Sequence, residues 1–313
     1  MNSVSFKLNS PLGDYNELDC EALRFQGQDA DNGVRVIVFR SRPKPARYFK
    51  SGDYITTDLE PRRQCTGRAG ATMRNSQLWK PTKFIRSSHG LTASRDPTEV
   101  GVRSRIIADR IAMAYWQAIR AHAKGSLVDI GCGKVPLYES YRDCVTDVLC
   151  VDWANTWHGN PYLDAYVDLN VGLPLADHRF DTVLATDILE HLVTPGLFWS
   201  EVSRVLRPQG KVILGVPFLY GLHEQPHDHG RYTAHRLRAW CAENHISVLS
   251  LTAYGGPLAV VLDIIGKNIP GRLFARGYQA AANWFLSMDI GRRIDARNSD
   301  IFPLGYCLVG QKQ

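Results

Sequence analysis

Between residues 217 and 233 the chain reads PFLYGLHEQPHDHGRYT. Histidines, carboxylates, an arginine and two tyrosines crowd into one loop directly after an apolar run. A histidine within hydrogen-bond reach of a hydroxyl is suited to removing its proton, because its ordinary pKa lies near neutrality. His223 and His227 are therefore candidates for a base or an orienting group, Asp228 for fixing a histidine tautomer, and Arg231 for pairing with Asp228 or a substrate anion. Tyr220 and Tyr232 are candidate acceptor contacts in the same loop, and His191 is a further candidate from DILEHL (187–192). A different reading is that His, Asp and Arg hold the loop together without touching a substrate. His223, Glu224, His227 and His229 do not form HExxH, and Pro226 breaks any helix that would align two histidines, so no metal is expected.

Such groups need an element that brings a second reactant to them. Leu127 to Ile130 reads as a buried parallel strand, and Gly131 and Gly133 allow a tight turn. Pro136 suits the first turn of a following helix. A strand, a glycine turn and a helix N-terminus at the carboxyl edge of a sheet form a cradle for a nucleotide-like ligand. A second apolar run, Val148 to Val151, ends at Asp152, about 20 residues after the glycines, where a carboxylate would accept from ribose hydroxyls. Phe180 to Thr186 and Lys211 to Val216 are further strands, with a helix from Gly196 to Leu206 and an RPQG turn (207–210) between them.

The ordered set VDIGCG (128–133), VDW (151–153), FDTVLATDILEHL (180–192) and EVSRVLRPQGKVILGVP (201–217) resembles the class I S-adenosylmethionine (SAM)-dependent methyltransferases. The resemblance implies an α/β, Rossmann-like sheet of seven mostly parallel strands with helices on both faces. It implies SAM as cofactor, S-adenosylhomocysteine as product, and a final strand lying antiparallel between its neighbours. Gly131, Cys132 and Gly133 would form the cofactor turn and Asp129 would lie near the amino-acid end of SAM. Asp152 and Trp153 would hold the ribose, and Asp168 and Leu169 would lie beside the adenine. Asp187 would approach the methionine part. Asp168 has a plainer alternative as the cap of a turn. Many family members have a third glycine where this chain has Val135, so the loop near the methionine end is expected to be tighter. The loop at 217–233 looks like that of a branch often associated with methylation of small molecules, cell-surface glycans or natural products. An Asn or Asp followed by Pro-Pro and an aromatic, the mark of amino-group methylation, is missing from the segment after the fourth strand.

A chain of 313 residues is long for one such domain. Residues 1–100 read as a basic and aromatic extension and 101–313 as the sheet domain, with an insertion at 254–302 before the last strand. The net charge is +6, but residues 35–110 hold 17 Lys and Arg against 6 Asp and Glu, so the rest of the chain is acidic. That stretch, with Tyr48, Phe49, Tyr54, Trp79 and Phe84, has two readings. It packs on the sheet domain and partly covers its site, or it binds an anionic partner such as nucleic acid, a phosphorylated glycan carrier or a nucleotide sugar. Gly101 to Lys124 carries apolar residues at helical spacing and is expected to pack on the sheet. In the insertion, apolar helices are expected over 258–269 and 273–288. Their faces suit core, a homodimer interface, or contact with a lipid surface. Seven cysteines without CxxC spacing, no basic-apolar leader and no run long enough to span a bilayer predict a cytoplasmic protein.

The reading is a SAM-dependent methyltransferase acting on an oxygen of a small-molecule or glycan-type acceptor. Its alternatives are ribose methylation of RNA docked on the basic N-terminal region, and a catalytically idle SAM-binding regulatory relative.

Overall fold

The computed structural model describes residues 73–154 and 160–313. Half of the basic stretch at 35–110, with Tyr48, Phe49 and Tyr54, lies outside them.

After a short 3₁₀ turn at Ser76–Leu78 comes a hairpin, β1 (Phe84–Ser87) and β2 (Gly90–Ala93), paired antiparallel from Phe84↔Ala93 to Ser87↔Gly90. No regular period is visible here in the sequence, because four-residue strands are too short to establish an alternation. Phe84, Leu91 and Ala93 are buried, and the Ala93 N–H donates to Asp109 Oδ1 at 2.9 Å on the next helix. That helix, α1 (Arg105–His122), follows a short 3₁₀ turn at Val102–Ser104 and buries Ile106, Ile107, Ile111, Tyr115 and Ile119. The expected amphipathic helix is present.

The central sheet then builds from β3 (Gly125–Ile130), β4 (Val145–Asp152), β5 (Ala165–Tyr166), β6 (Phe180–Thr186), β7 (Leu206–Pro217), β8 (Ile246–Tyr254) and β9 (Gly305–Lys312). Helices α2 (Tyr138–Tyr141), α3 (Pro195–Val205) and α4 (Ala234–Glu243) separate them. The strand order is β5-β4-β3-β6-β7-β9-β8. Strands β5, β4, β3, β6 and β7 are parallel, and β9 runs antiparallel to both β7 and β8, as the resemblance implies. Both faces of the inner strands are covered, which is why they read as nearly unbroken apolar runs. Leu127 and Ile213 pack with Tyr115 and Tyr141 on one side; Val128 and Ile130 pack with Trp199 and Trp240 on the other.

Local chemistry explains several boundaries. Thr233 caps α4, its hydroxyl accepting the Arg236 N–H at 3.2 Å. The expected RPQG turn is a bulge at the start of β7: Phe180 pairs with Leu206 but Thr182 with Lys211, so the residues between protrude. The strand β5 is only two residues long. It stops at Tyr166 because Asp168 Oδ1 accepts the Asn170 N–H at 2.9 Å and turns the chain.

The insertion holds three helices, α5 (Pro257–Asn268), α6 (Arg272–Ser287) and α7 (Asp289–Ala296), where two were expected. Charged residues in α7 mask its short apolar stripe. One of them, buried Asp295, accepts the N–H groups of Gly256 and Ala259 at 3.0 and 2.7 Å and so ties α7 to the start of α5. Within the core, Gly215 on β7 leaves no room for a side chain, since a Cβ there would lie 2.0 Å from the Tyr115 hydroxyl. This close approach lets α1 deliver that hydroxyl to the carboxyl edge of the sheet.

Candidate active site

The glycine turn closes the end of β3. Gly131 has φ +68°, and a Cβ on it would meet Ile188 Cγ2 at 2.2 Å, so glycine is required on both counts. Gly133 has φ +49° with open space above it, and its N–H donates to Asp152 Oδ2 at 2.7 Å. Asp152 Oδ1 accepts the Trp153 N–H at 2.7 Å. One carboxylate thus pins the turn to the end of β4, and each oxygen retains a lone pair for a ligand hydroxyl. Burial raises the Asp152 pKa while those two N–H groups pull it back down. Val135, at the third-glycine position, adopts φ +52° and is fully buried. A β-branched residue is strained there; its carbonyl accepts the Trp79 indole N–H at 3.1 Å.

Asp129 lies beneath the turn, 4% exposed, and accepts the Tyr141 hydroxyl at 3.0 Å. Burial pushes its pKa up to about 7, the Tyr141 bond opposes this, and the nearby Asp152 charge adds to it. Cys132 is buried, with the Asn160 amide 3.5 Å from its sulfur. Asp168 stands at the turn after β5 with Oδ1 bonded to Asn170, and Leu169 packs on the adjoining core.

Past β6 the chain turns at Asp187 in the left-handed region, φ +55°, with its N–H donating to Gly215 O at 2.9 Å. Its Oδ1 accepts the Tyr115 hydroxyl at 2.6 Å and its Oδ2 lies 3.3 Å from Lys83 Nζ, just before β1. Burial lifts the Tyr115 pKa well above its usual range, so Tyr115 stays a donor.

Beside Asp187 three ionisable groups converge. Glu190 is fully buried, and neither carboxylate oxygen has a hydrogen-bond partner among the described residues. Its Oε1 lies 3.7 Å from His223 Nε2 and 3.8 Å from His191 Nε2. On its other side His223 Nδ1 is 3.2 Å from Asp228 Oδ2. The His223 backbone N–H donates to the same Asp228 oxygen at 3.0 Å, and Nδ1 lies 3.3 Å from the Gly221 carbonyl, so an Nδ1–H donated there leaves Nε2 facing Glu190. The Glu190 carboxylate raises the His223 pKa, burial opposes it, and the Asp228 charge adds to the rise. Burial raises the pKa of Glu190 itself.

These groups line a cavity of about 260 Å³ with Asp187, Tyr220, Tyr254, Lys83 and residues 99–101. The structure thus brings Asp187, His191, His223 and Tyr220 together, with Asp228 behind His223. It places the other loop residues elsewhere. Arg231 grips Asp228 through both terminal nitrogens and donates to the Gly230 carbonyl at 2.8 Å, clamping the loop. His227 is exposed, its ring edge-on to Trp153 at 4.9 Å, and its carbonyl lies 2.8 Å from His191 Nδ1. Tyr232 packs on Trp240 and donates to the Leu189 carbonyl at 3.4 Å.

Glu190, Lys83 and Tyr254 were not singled out by sequence reasoning. An acid inside the apolar run ILEHL was the one available signal, for Glu190. Among the described residues Glu190, His191 and His223 each offer a ligand atom within 4.8 Å of the others, so they can hold a cation. This set differs from the one read from the loop spacing.

Residues 128–214 match the family model described as a methyltransferase domain. A ubiquinone biosynthesis O-methyltransferase of Mesorhizobium japonicum is 28% identical over 167 residues, covering 48% of this chain and 64% of that protein. The chain therefore spans under two thirds of that relative's length. Among solved structures, an S-adenosylmethionine-dependent methyltransferase from Mesorhizobium loti is 13% identical with a TM-score of 0.42, over 65% of this chain and 100% of that one. A complex between the Haloferax volcanii Trm112 methyltransferase activator and a methyltransferase gives 15% and 0.45, over 69% and 94%. No helix among the described residues is long and apolar enough to cross a membrane. The family match runs from β3 into β7 with the strand order and the Asp152 clamp in place around it, so residues 128–214 are a methyltransferase domain, and these features support a class I SAM-dependent methyltransferase.

Proposed function

We propose that this chain methylates an oxygen of a small-molecule or glycan-type acceptor, with His223 taking the hydroxyl proton. The arrangement that supports this most is His223 itself, held by Asp228 through its backbone N–H and by the Gly221 carbonyl at Nδ1, and facing buried Glu190 and the cavity with Nε2. Bound SAM supplies a methyl group on a positively charged sulfur, which an oxygen displaces in line. Asp152 would hold the ribose hydroxyls, the Gly131–Gly133 turn would admit the cofactor, and Asp129 would face its ammonium. At the acceptor, His223 Nε2 accepts the hydroxyl proton as the oxygen becomes nucleophilic. The resulting imidazolium lies between the carboxylates of Glu190 and Asp228, which stabilise it, and Tyr220 walls the acceptor. The 28% identical relative is an O-methyltransferase, which agrees with an oxygen acceptor. The test is transfer of labelled methyl from SAM to a panel of phenols, sugar hydroxyls and matched amines. Label on hydroxyl compounds is expected; label on amines alone would contradict the reading.

Asp129 makes cofactor binding depend on pH. With its pKa at about 7 it is largely neutral at pH 6, and an ammonium beside it favours the carboxylate. Binding then releases a proton, so SAM affinity is expected to rise from about pH 5.5 to 7.5, by at most about tenfold per unit. Calorimetry of Asp129→Asn across that range is expected to show a flattened dependence.

A further inference from the structure

The insertion anchors one face and exposes the other. Gln279 on α6 is buried, its side-chain carbonyl accepting the Ile106 N–H at 3.1 Å, and Asn283 donates to Asp109 at 3.0 Å. Ala275, Ala282 and Leu286 share that inner face. At about 3.6 residues per turn, Leu273 and Trp284 fall on the opposite side and Phe274 on its flank, with Met288 just past the helix end. Leu273 is 79% exposed, Phe274 77% and Trp284 66%, and Ile290 and Ile294 extend the exposed apolar surface onto α7. So many large apolar side chains presented outward by neighbouring helices mark a contact surface.

Charge identifies its occupant. Arg272, Arg276, Arg293 and Arg297 are exposed on the same helices and just beyond them, with no carboxylate partner among the described residues. The acids of this segment are largely used: Asp263 pairs with Lys267, Asp289 with Arg292, and Asp295 caps α5. A second copy of the chain would set these arginines against their own counterparts. A layer of anionic headgroups answers them, while the apolar side chains enter the acyl boundary.

The surface also adjoins an opening. A second cavity of about 280 Å³ is lined by Pro97, Gly101, Ser104, Arg272 and Ala275, and shares Gly101 and Ser104 with the histidine-lined one. It thus lies between the site and the first turn of α6, from which Leu273 and Phe274 project.

We infer that the outer face of α6 and α7 docks on an anionic lipid bilayer, and that an amphiphilic acceptor reaches the site past Gly101 and Ser104. The docking surface stands on its own observations; only its use in delivering an acceptor rests on the methyl-transfer reading.

Sedimentation of the full chain with vesicles, in the absence of SAM, separates the two. Vesicles of phosphatidylcholine with phosphatidylglycerol are expected to carry the protein down at low salt, and phosphatidylcholine alone is expected to carry far less. Phe274→Asp, and separately Arg272→Glu with Arg276→Glu, are expected to weaken this by about tenfold or more. Melting temperatures should hardly change, since all three residues are exposed. Brominated lipid is expected to quench a part of the fluorescence that Trp284→Phe removes. No sedimentation of the unaltered chain with either vesicle, or sedimentation undiminished in both variants, would overturn the inference. So would a dimer in velocity sedimentation that Phe274→Asp dissociates, which would assign the face to a second copy.

Discussion

His223→Ala is expected to lower kcat by about 10²- to 10⁴-fold, the usual contribution of a positioned general base, with little change in the KM for SAM. The direction of the pH dependence follows from the surroundings of His223. The Glu190 carboxylate lifts its pKa above the ordinary value of 6.5. The imidazole must be neutral to accept a proton, so kcat/KM should climb with pH and level off only above the raised pKa. Glu190→Gln removes the charge that stabilises the imidazolium, so the same limb should move to lower pH. A purely structural role for His223 predicts a different result. The loop would lose its His223–Asp228 contact and melt at lower temperature, but the remaining activity would keep its acidic limb. Asp228→Asn helps to separate these, because Asp228 also anchors Arg231. Breaking that pair is expected to cost stability by about 3 kcal/mol. The Arg231 guanidinium holds the Asp228 pKa well below the usual carboxylate range, so its stabilisation is complete above about pH 4. It is lost as the solution is acidified below that.

The second large effect concerns the cofactor. Asp152→Ala is expected to weaken SAM binding by about 10- to 100-fold, corresponding to about 1.5–3 kcal/mol for hydrogen bonds to a charged group. Asp152 has two duties, since it also accepts the N–H groups of Gly133 and Trp153. A melting curve of the variant without ligand reports the cost of losing those bonds, and the shift caused by added SAM reports binding. Equal affinity in the variant and the unaltered chain would remove Asp152 from the cofactor site and leave it a clamp on the glycine turn.

The sheet was legible because its physics is local and redundant. Strands buried on both faces leave unbroken apolar runs such as Val148–Val151 and Val183–Ala185, and Gly131, with φ +68° and Ile188 against it, tolerates no substitute. The pairings that build the site were not legible in the same way. Lys83 reaches Asp187 across 104 positions, and Tyr115 reaches it across 72. Nothing in the residues around either partner announces the other. Within the histidine-rich loop all candidates look alike in sequence. Only the fold turns His223 toward Glu190 and the cavity, leaves His227 exposed against Trp153, and commits Arg231 to Asp228. Glu190 was hidden for a related reason: a carboxylate in an apolar segment reads as a surface residue until its neighbours are seen to enclose it. The β1–β2 hairpin and α7 escaped because each is short, and α7 places Asp289, Arg292, Arg293 and Asp295 around two isoleucines.

The most direct test of the account is calorimetric titration of the full chain with SAM and with S-adenosylhomocysteine near pH 7.5, where Asp129 is expected to be largely ionised once either is bound. Binding at micromolar concentrations, about one molecule per chain, with proton release that is small at this pH, grows as the pH is lowered toward 6 and is suppressed by Asp129→Asn, is the predicted result. The absence of heat with both ligands, in a chain that melts cooperatively, would contradict it. The glycine turn would then be only a turn, and His223 would have no methyl donor to serve.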